Sequence, residues 1–302
     1  MMPEFQVSCP QSLAELGSEA SRLEGEVLFL SGGTDLILEL RSGQRRADWL
    51  IDISQVPELQ YIKVESRLNG LLKIGSGVTF TQLSSNALVW ENAQCLAQAG
   101  KQMGSTQIRN RATLGGNIAS ASPAGDSLPA LVALEAEVTV EGPGGARMLS
   151  VAEMLGGKEK VLKARELVTE IAVPFAEPRV ERRSAFVKIG SRTQVSIARL
   201  SLAAVVELEN GIIRKLRLAV GALGKAPLRL ENLERDWNGQ PVRPEMAAEL
   251  AQRLTETVDK AIPGRQSQAY KRQAVQALAY DIFAELFPEQ GLSQGGGGND
   301  RR

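Results

Sequence analysis

A chain of 302 residues with 43% hydrophobic content can bury a substantial core, favours two domains over one, and is not disordered. Thirty-five basic residues balance thirty-five acidic ones, so no overall field draws the chain to nucleic acid or an anionic membrane, and no apolar run reaches the length of a membrane span. Two cysteines, Cys9 and Cys95, and an N-terminus without a signal-peptide pattern fit a cytoplasmic protein.

In chain order, Glu26–Leu30 reads as an apolar strand running into SGGTD and then an amphipathic helix that stops near Gly43. Trp49–Ile53 is a second strand, and YIKVE and LLKIG flank an Asn69-Gly70 hairpin turn. Helical segments follow over Thr79–Trp90 and Asn92–Met103, and a further apolar helix starts after Asp126. EVTVE and ARMLS flank GPGG as another hairpin, and ELVTEIAVP ends at Pro174, the expected domain boundary. Beyond it, SAFVKIG, RLSLAAVVELE and IIRKLRLAVGAL read as three antiparallel strands, and two helices follow, one on each side of Ile262-Pro263. The final SQGGGGNDRR is of low complexity, and there is no internal repeat.

The most informative count is that of histidine, which is zero. Its absence removes the commonest general base, the commonest zinc and iron ligand, and every Ser-His or Cys-His dyad. Two separated cysteines are too few for an iron–sulfur cluster, and no carboxylate spacing asks for a metal. Redox chemistry on this chain falls to a bound organic cofactor.

Two Gly-Gly turns sit at strand-to-helix junctions, Ser31–Asp35 and Leu114–Asn117. Each lets backbone approach a ligand closely and can aim N–H groups into one concavity, which is anion chemistry without lysine. A plain tight turn is the competing reading of each. The chain has no P-loop, and the glycines at Gly75 and Gly142 lack the third glycine of a Rossmann fingerprint. Asp126, with Pro129 just inside the following helix, reads as a capping carboxylate. Near a dinucleotide it would take a ribose hydroxyl or a loop N–H, because a phosphate would repel it.

LSGGTDL from Leu30, QIRNRATLGGNIASASPAGDSLPALVAL from Gln107, ELVTEIAVP from Glu166 and FVKIGSRTQVSIA from Phe186 occur together in that order. With LAVGALGKAPLRL from Leu218 and YKRQAVQALAYDI from Tyr270, they closely resemble the FAD-binding subunit of the molybdenum hydroxylases, the group of bacterial xanthine dehydrogenase and aerobic carbon monoxide dehydrogenase. The similarity runs to about Phe287, and the second block is its most specific part. It implies an α+β protein: a two-lobed FAD-binding domain of the p-cresol methylhydroxylase type over residues 1–176, then a small C-terminal domain over 177–289 with a three-stranded antiparallel sheet and helices. Residues 290–302 are expected to be a disordered tail.

The resemblance also implies the site. Ser31, Gly32, Gly33, Thr34 and Asp35 in the first turn, and Thr113, Gly115, Gly116 and Asn117 in the second, match residues that wrap the FAD pyrophosphate. Asp126 falls on the far side of the cofactor, Val168 matches an apolar contact and Lys188 a lysine near the flavin. Core packing and solvation are the competing readings for Val168 and Lys188. The implied partners are a molybdopterin-binding large subunit and a 2Fe-2S small subunit, with NAD+ or another acceptor as the electron outlet. Two other readings stay open: a self-sufficient FAD-dependent oxidoreductase and a non-catalytic FAD-binding assembly module.

Overall fold

The computed structural model describes residues 4–65, 70–156, 161–177, 180–190 and 197–290. The N-terminal runs pair in parallel because helices return the chain between them. β1 (Gln6–Ser8) leads to α1 (Leu13–Arg22), β2 (Val27–Leu30) to α2 (Leu36–Ser42), and β3 (Trp49–Asp52) lies between the two strands, with Gln6 and Val27 both in register with Trp49. β1 and α1 precede the first element assigned from sequence; Ser12 caps α1 by accepting the Glu15 N–H. α2 stops where Gly43 turns left-handed, as its position suggests.

β4 (Ile62–Glu65) and β5 (Leu71–Gly75) pair antiparallel; Asn69 of the expected turn lies outside the described residues. The two expected helices that follow are three: α3 (Phe80–Ser85), α4 (Ala87–Asn92) and α5 (Gln94–Gln102). The break falls at Asn86, which is extended and caps α4 by accepting the Leu88 and Val89 N–H groups. Next come α6 (Thr106–Arg109), α7 (Leu114–Ser120), α8 (Ser127–Ala133), the hairpin β6 (Glu137–Gly142) and β7 (Gly145–Ser150), α9 (Val151–Gly156) and β8 (Leu167–Pro174). The strands form one antiparallel sheet in the order β4-β5-β8-β6-β7. Leu72, Ile74, Val138 and Ile171 of this sheet share a core with Phe80, Leu96 and Leu131 of the helices.

β9 (Glu181–Gly190), β10 (Ala198–Glu209) and β11 (Ile212–Gly221) form the three expected antiparallel strands, and a fourth, β12 (Leu228–Arg229), extends the sheet at β11. Two residues are too few to carry a periodic signal. α10 (Glu231–Trp237), α11 (Met246–Ala261) and α12 (Gln268–Leu286) follow. The 291–302 tail lies outside the described residues.

This sheet is buried on both faces, and the alternation of β10 shows how. Leu202, Ala204 and Val206 join the core made with α10, α11 and α12, whereas Ala203 and Val205 join the core that holds α8. Taking residues 4–174 as one lobe and residues 181–290 as the second, the second lobe thus completes the hydrophobic core of the first. No helix among the described residues is long and apolar enough to cross a membrane.

A shared core predicts shared unfolding. Leu131→Ala and Leu202→Ala, on opposite sides of the sheet, should each cost about 2–5 kcal/mol. Urea melts followed by tryptophan fluorescence and far-UV dichroism should stay coincident in both variants. Two separated transitions would show that the lobes unfold independently.

Candidate functional site

Two glycine turns 82 residues apart in sequence meet through their hydroxyls: Ser31 Oγ lies 2.9 Å from Thr113 Oγ1. The first turn follows the end of β2 and the second opens α7, so each is fixed by a strand or a helix on either side. The backbones also press together. A Cβ on Gly32 would sit 2.1 Å from the Arg111 carbonyl oxygen, and one on Gly115 would sit 2.4 Å from Ser76 Cβ. Both positions therefore demand glycine for packing alone. Gly33 needs it for a different reason, a φ of +72°.

Gly116 is less tightly held. It is exposed, and a Cβ there would meet no backbone but would sit 2.9 Å from Thr113 Oγ1, so that hydroxyl would have to move. Its side of the turn is open.

The N–H groups divide unequally between the turns. In the second, Leu114 N–H donates to Val78 O at 2.9 Å, Gly115 N–H to Ser76 O at 2.9 Å, Gly116 N–H to Thr113 Oγ1 at 3.2 Å and Asn117 N–H to Thr113 O at 3.0 Å. The expectation that both turns can aim their amides into a concavity is thus corrected for the second, whose donors are taken by the Val78 and Ser76 carbonyls and by the Thr113 cap. In the first, the N–H groups of Gly32, Gly33, Thr34 and Asp35 meet no protein acceptor among the described residues. Thr34 is half-buried and Asp35 exposed.

Asp126 precedes α8, but its carboxylate does not cap that helix. Instead Oδ2 takes the Lys188 ammonium of β9 at 2.6 Å, with only 4% and 7% of the two side chains exposed. Lys188 also donates to Gln102 O at 2.8 Å. The capping reading and the picture of Lys188 as a solvated strand residue both give way to this buried pair. Asp126 Oδ1 has no partner among the described residues. Burial pushes the Asp126 carboxyl up to about 6, outweighing the pull of the adjacent ammonium. Ser127 Oγ donates to Asn117 Oδ1 at 2.7 Å, which ties the start of α8 to the second glycine turn.

Val168 stands apart from these groups. It lies in β8 opposite Val140, 4% exposed, within the core. Arg109 is spent on the protein itself, donating to Met103 O and Gly104 O at 3.0 Å each. Arg111 contributes its carbonyl to the contact with Gly32.

Sequence reading missed Ser76 and Ser127. Ser76 underlies Gly115, receives its N–H, donates its own N–H to Thr169 O at 3.0 Å and keeps a buried hydroxyl without a partner among the described residues. Its signal was the small-residue run Gly75-Ser76-Gly77, in which a Cβ on Gly75 would sit 2.3 Å from Leu59 O. No group of histidine, cysteine or carboxylate side chains suited to a metal occurs among the described residues.

Comparison with known proteins gives this arrangement a family. Residues 3–176 match the model for the FAD binding domain in molybdopterin dehydrogenase, and residues 185–286 match the CO dehydrogenase flavoprotein C-terminal domain. The chain is 29% identical to the nicotinate dehydrogenase FAD-subunit of Eubacterium barkeri, over 95% of this chain and 98% of that one. It is 27% identical to the xanthine dehydrogenase FAD-binding subunit of Escherichia coli O157:H7, over 87% and 89%. A solved chain of carbon monoxide dehydrogenase from Hydrogenophaga pseudoflava superposes with a TM-score of 0.84 at 25% identity, covering 95% of this chain and 99% of that one. The α+β fold is that of an FAD-binding oxidoreductase subunit, and the chain belongs to the FAD-binding medium subunits of the molybdenum hydroxylase family.

Proposed function

We propose that the two glycine turns hold FAD and that the chain relays electrons within a molybdenum hydroxylase complex. They arrive from the iron–sulfur clusters of a small subunit and leave to NAD+ or another acceptor. A molybdopterin-binding large subunit oxidises the organic substrate. The observation that carries this reading is the meeting of the two turns at Ser31 and Thr113, because it makes one surface from two glycine turns 82 residues apart in the chain.

The residues fit the cofactor. The first turn offers a run of unengaged N–H groups to a pyrophosphate, each charge-assisted bond contributing about 1.5–3 kcal/mol. Gly116 leaves room for the ligand to lie against the second turn, and Asn117 and Thr113 border it. Asp126 Oδ1, a buried acceptor without a donor, suits a ribityl or ribose hydroxyl. Lys188 keeps one N–H beyond its bonds to Asp126 and Gln102, which suits a flavin carbonyl. Val168, 4% exposed, serves as core. Bound FAD supplies the interchange of single electrons and electron pairs, so no side-chain acid or base is required of a chain without histidine.

On this reading residues 1–176 form an FAD domain of the p-cresol methylhydroxylase type and residues 177–289 the C-terminal domain, in a cytoplasmic complex. A cleft of about 690 Å³ beside the Asp126 loop supports a diffusible acceptor. Its lining includes Pro123, Ala124, Arg199, Tyr270 and Lys271, with the Arg199 guanidinium over the Tyr270 ring and the Lys271 ammonium donating to Ala222 O at 2.6 Å.

The purified chain should show flavin absorption bands that are released on denaturation. Gly116→Val should abolish them, and Thr113→Val, which removes the hydroxyl that a side chain at 116 would displace, should show how much of the loss comes from the helix cap, itself about 1 kcal/mol. Flavin retained by Gly116→Val would overturn the assignment of the second turn. Asp126 gives a second test. Its carboxyl titrates near 6 in the folded chain and near 3.9 when unfolded, so its contribution to stability is full below about pH 4 and is lost as pH rises through about 6. The thermal midpoint of flavin-stripped wild type should therefore fall relative to that of Asp126→Asn across this window. A constant difference would contradict it.

A further inference from the structure

α8 is held at both ends by cations of the second lobe. At its start, Asp126 pairs with Lys188 of β9. At its end, Glu135 pairs through Oε2 with Lys215 at 2.9 Å and with Arg217 at 2.8 Å, both on β11. Arg217 is 6% exposed along its side chain and also reaches Glu207 at 3.2 Å. Between these ends every residue of α8 is buried, and the helix lies on small side chains of the sheet, among them Ala203 and Ala219. Pro129 packs over Gly221, where a Cβ would come within 3.0 Å of its ring.

An apolar contact can be re-made in another register, since a shift of a packed helix along its axis exchanges one set of apolar neighbours for another. A buried charge cannot make that exchange, because a shift leaves it without its partner. Burying Arg217 is a poor way to gain stability, because desolvation offsets most of the attraction, whereas buried pairs are well suited to fixing register. The register of α8 matters because its first residue is bonded to Asn117 in the second glycine turn.

We infer that Glu135 and Arg217 are positioning residues for the cofactor site: acting along α8, they set how far Asp126 stands toward the glycine turns. Asp126 and Glu135 flank the seven residues of α8, about 10 Å of helix, so the effect is transmitted and not direct. The inference rests on the proposed role of Asp126 as a contact of FAD.

The test is a double-mutant cycle on FAD dissociation constants of the full-length chain, with thermal midpoints of the flavin-stripped proteins measured in parallel. Glu135→Gly removes the anchor with little harm to the fold, because residue 135 has a φ of +53°, a conformation that favours glycine. Arg217 also keeps Glu207. This variant should bind FAD at least fivefold more weakly, and Arg217→Met should do the same while Arg217→Lys does not. In an Asp126→Asn background, Glu135→Gly should change the constant by less than about twofold, whereas independent sites would multiply their effects. The same factor in both backgrounds, or wild-type affinity in Glu135→Gly, would overturn the inference. If Glu135→Gly fails to fold, Glu135→Gln takes its place in the cycle. Wild-type affinity in Asp126→Asn alone would instead remove the FAD contact on which the inference stands.

Discussion

Everything at this site follows from how closely two stretches of backbone approach. Gly32 lies against the Arg111 carbonyl and Gly115 against Ser76, at separations that no side chain tolerates. The approach brings the Ser31 and Thr113 hydroxyls within hydrogen-bonding distance. It also decides which amides remain for a ligand. The second turn satisfies its own donors through Val78, Ser76 and Thr113, and the first leaves its donors free among the described residues. Asymmetry of this kind suits an elongated ligand that presents its anionic part to one turn and lies flat against the other.

The second lobe is as much a part of the site as the first. Its sheet presents Ala203, Val205 and Ala219 to α8 and its alternate residues to α10, α11 and α12, so a single sheet serves two cores. Lys188 reaches across that contact to Asp126. The pairing alters what Lys188 can contribute. With Asp126 ionised at neutral pH the pair carries no net charge, so the lysine acts as a directed hydrogen-bond donor and not as an isolated cation.

Much of this was legible in the sequence where the signal is local. The strand at Val27–Leu30, the left-handed stop at Gly43 and the β9–β11 ladder follow from apolar alternation and glycine placement. The ordered motifs located both turns, Asp126 and Lys188. What stayed hidden depends on contacts distant in the chain. Nothing local says that Asp126 forgoes its helix cap for a lysine 62 residues away, that Gly32 and Gly115 lie against the backbone or Cβ of distant residues while Gly116 faces only the Thr113 hydroxyl, or that Ser76 supports the second turn from below. Asn86 was hidden for another reason. Apolar periodicity runs on through it, and only its side-chain bonds to Leu88 and Val89 N–H show that the helix ends and restarts.

The placement of buried charge makes sense on this view. Arg217, Glu207, Lys188 and Asp126 all lie along the contact between the lobes, where leucine and alanine would bury more favourably. A contact made only of apolar side chains could be re-made in a second alignment with other apolar partners. A buried charge has one partner, and an alignment that separates the two leaves it uncompensated. With one pair at each end of α8, the alignment of two lobes becomes a property of four or five side chains. A cofactor gripped by residues from both lobes needs that alignment held to a fraction of an ångström for its hydrogen bonds to keep their length.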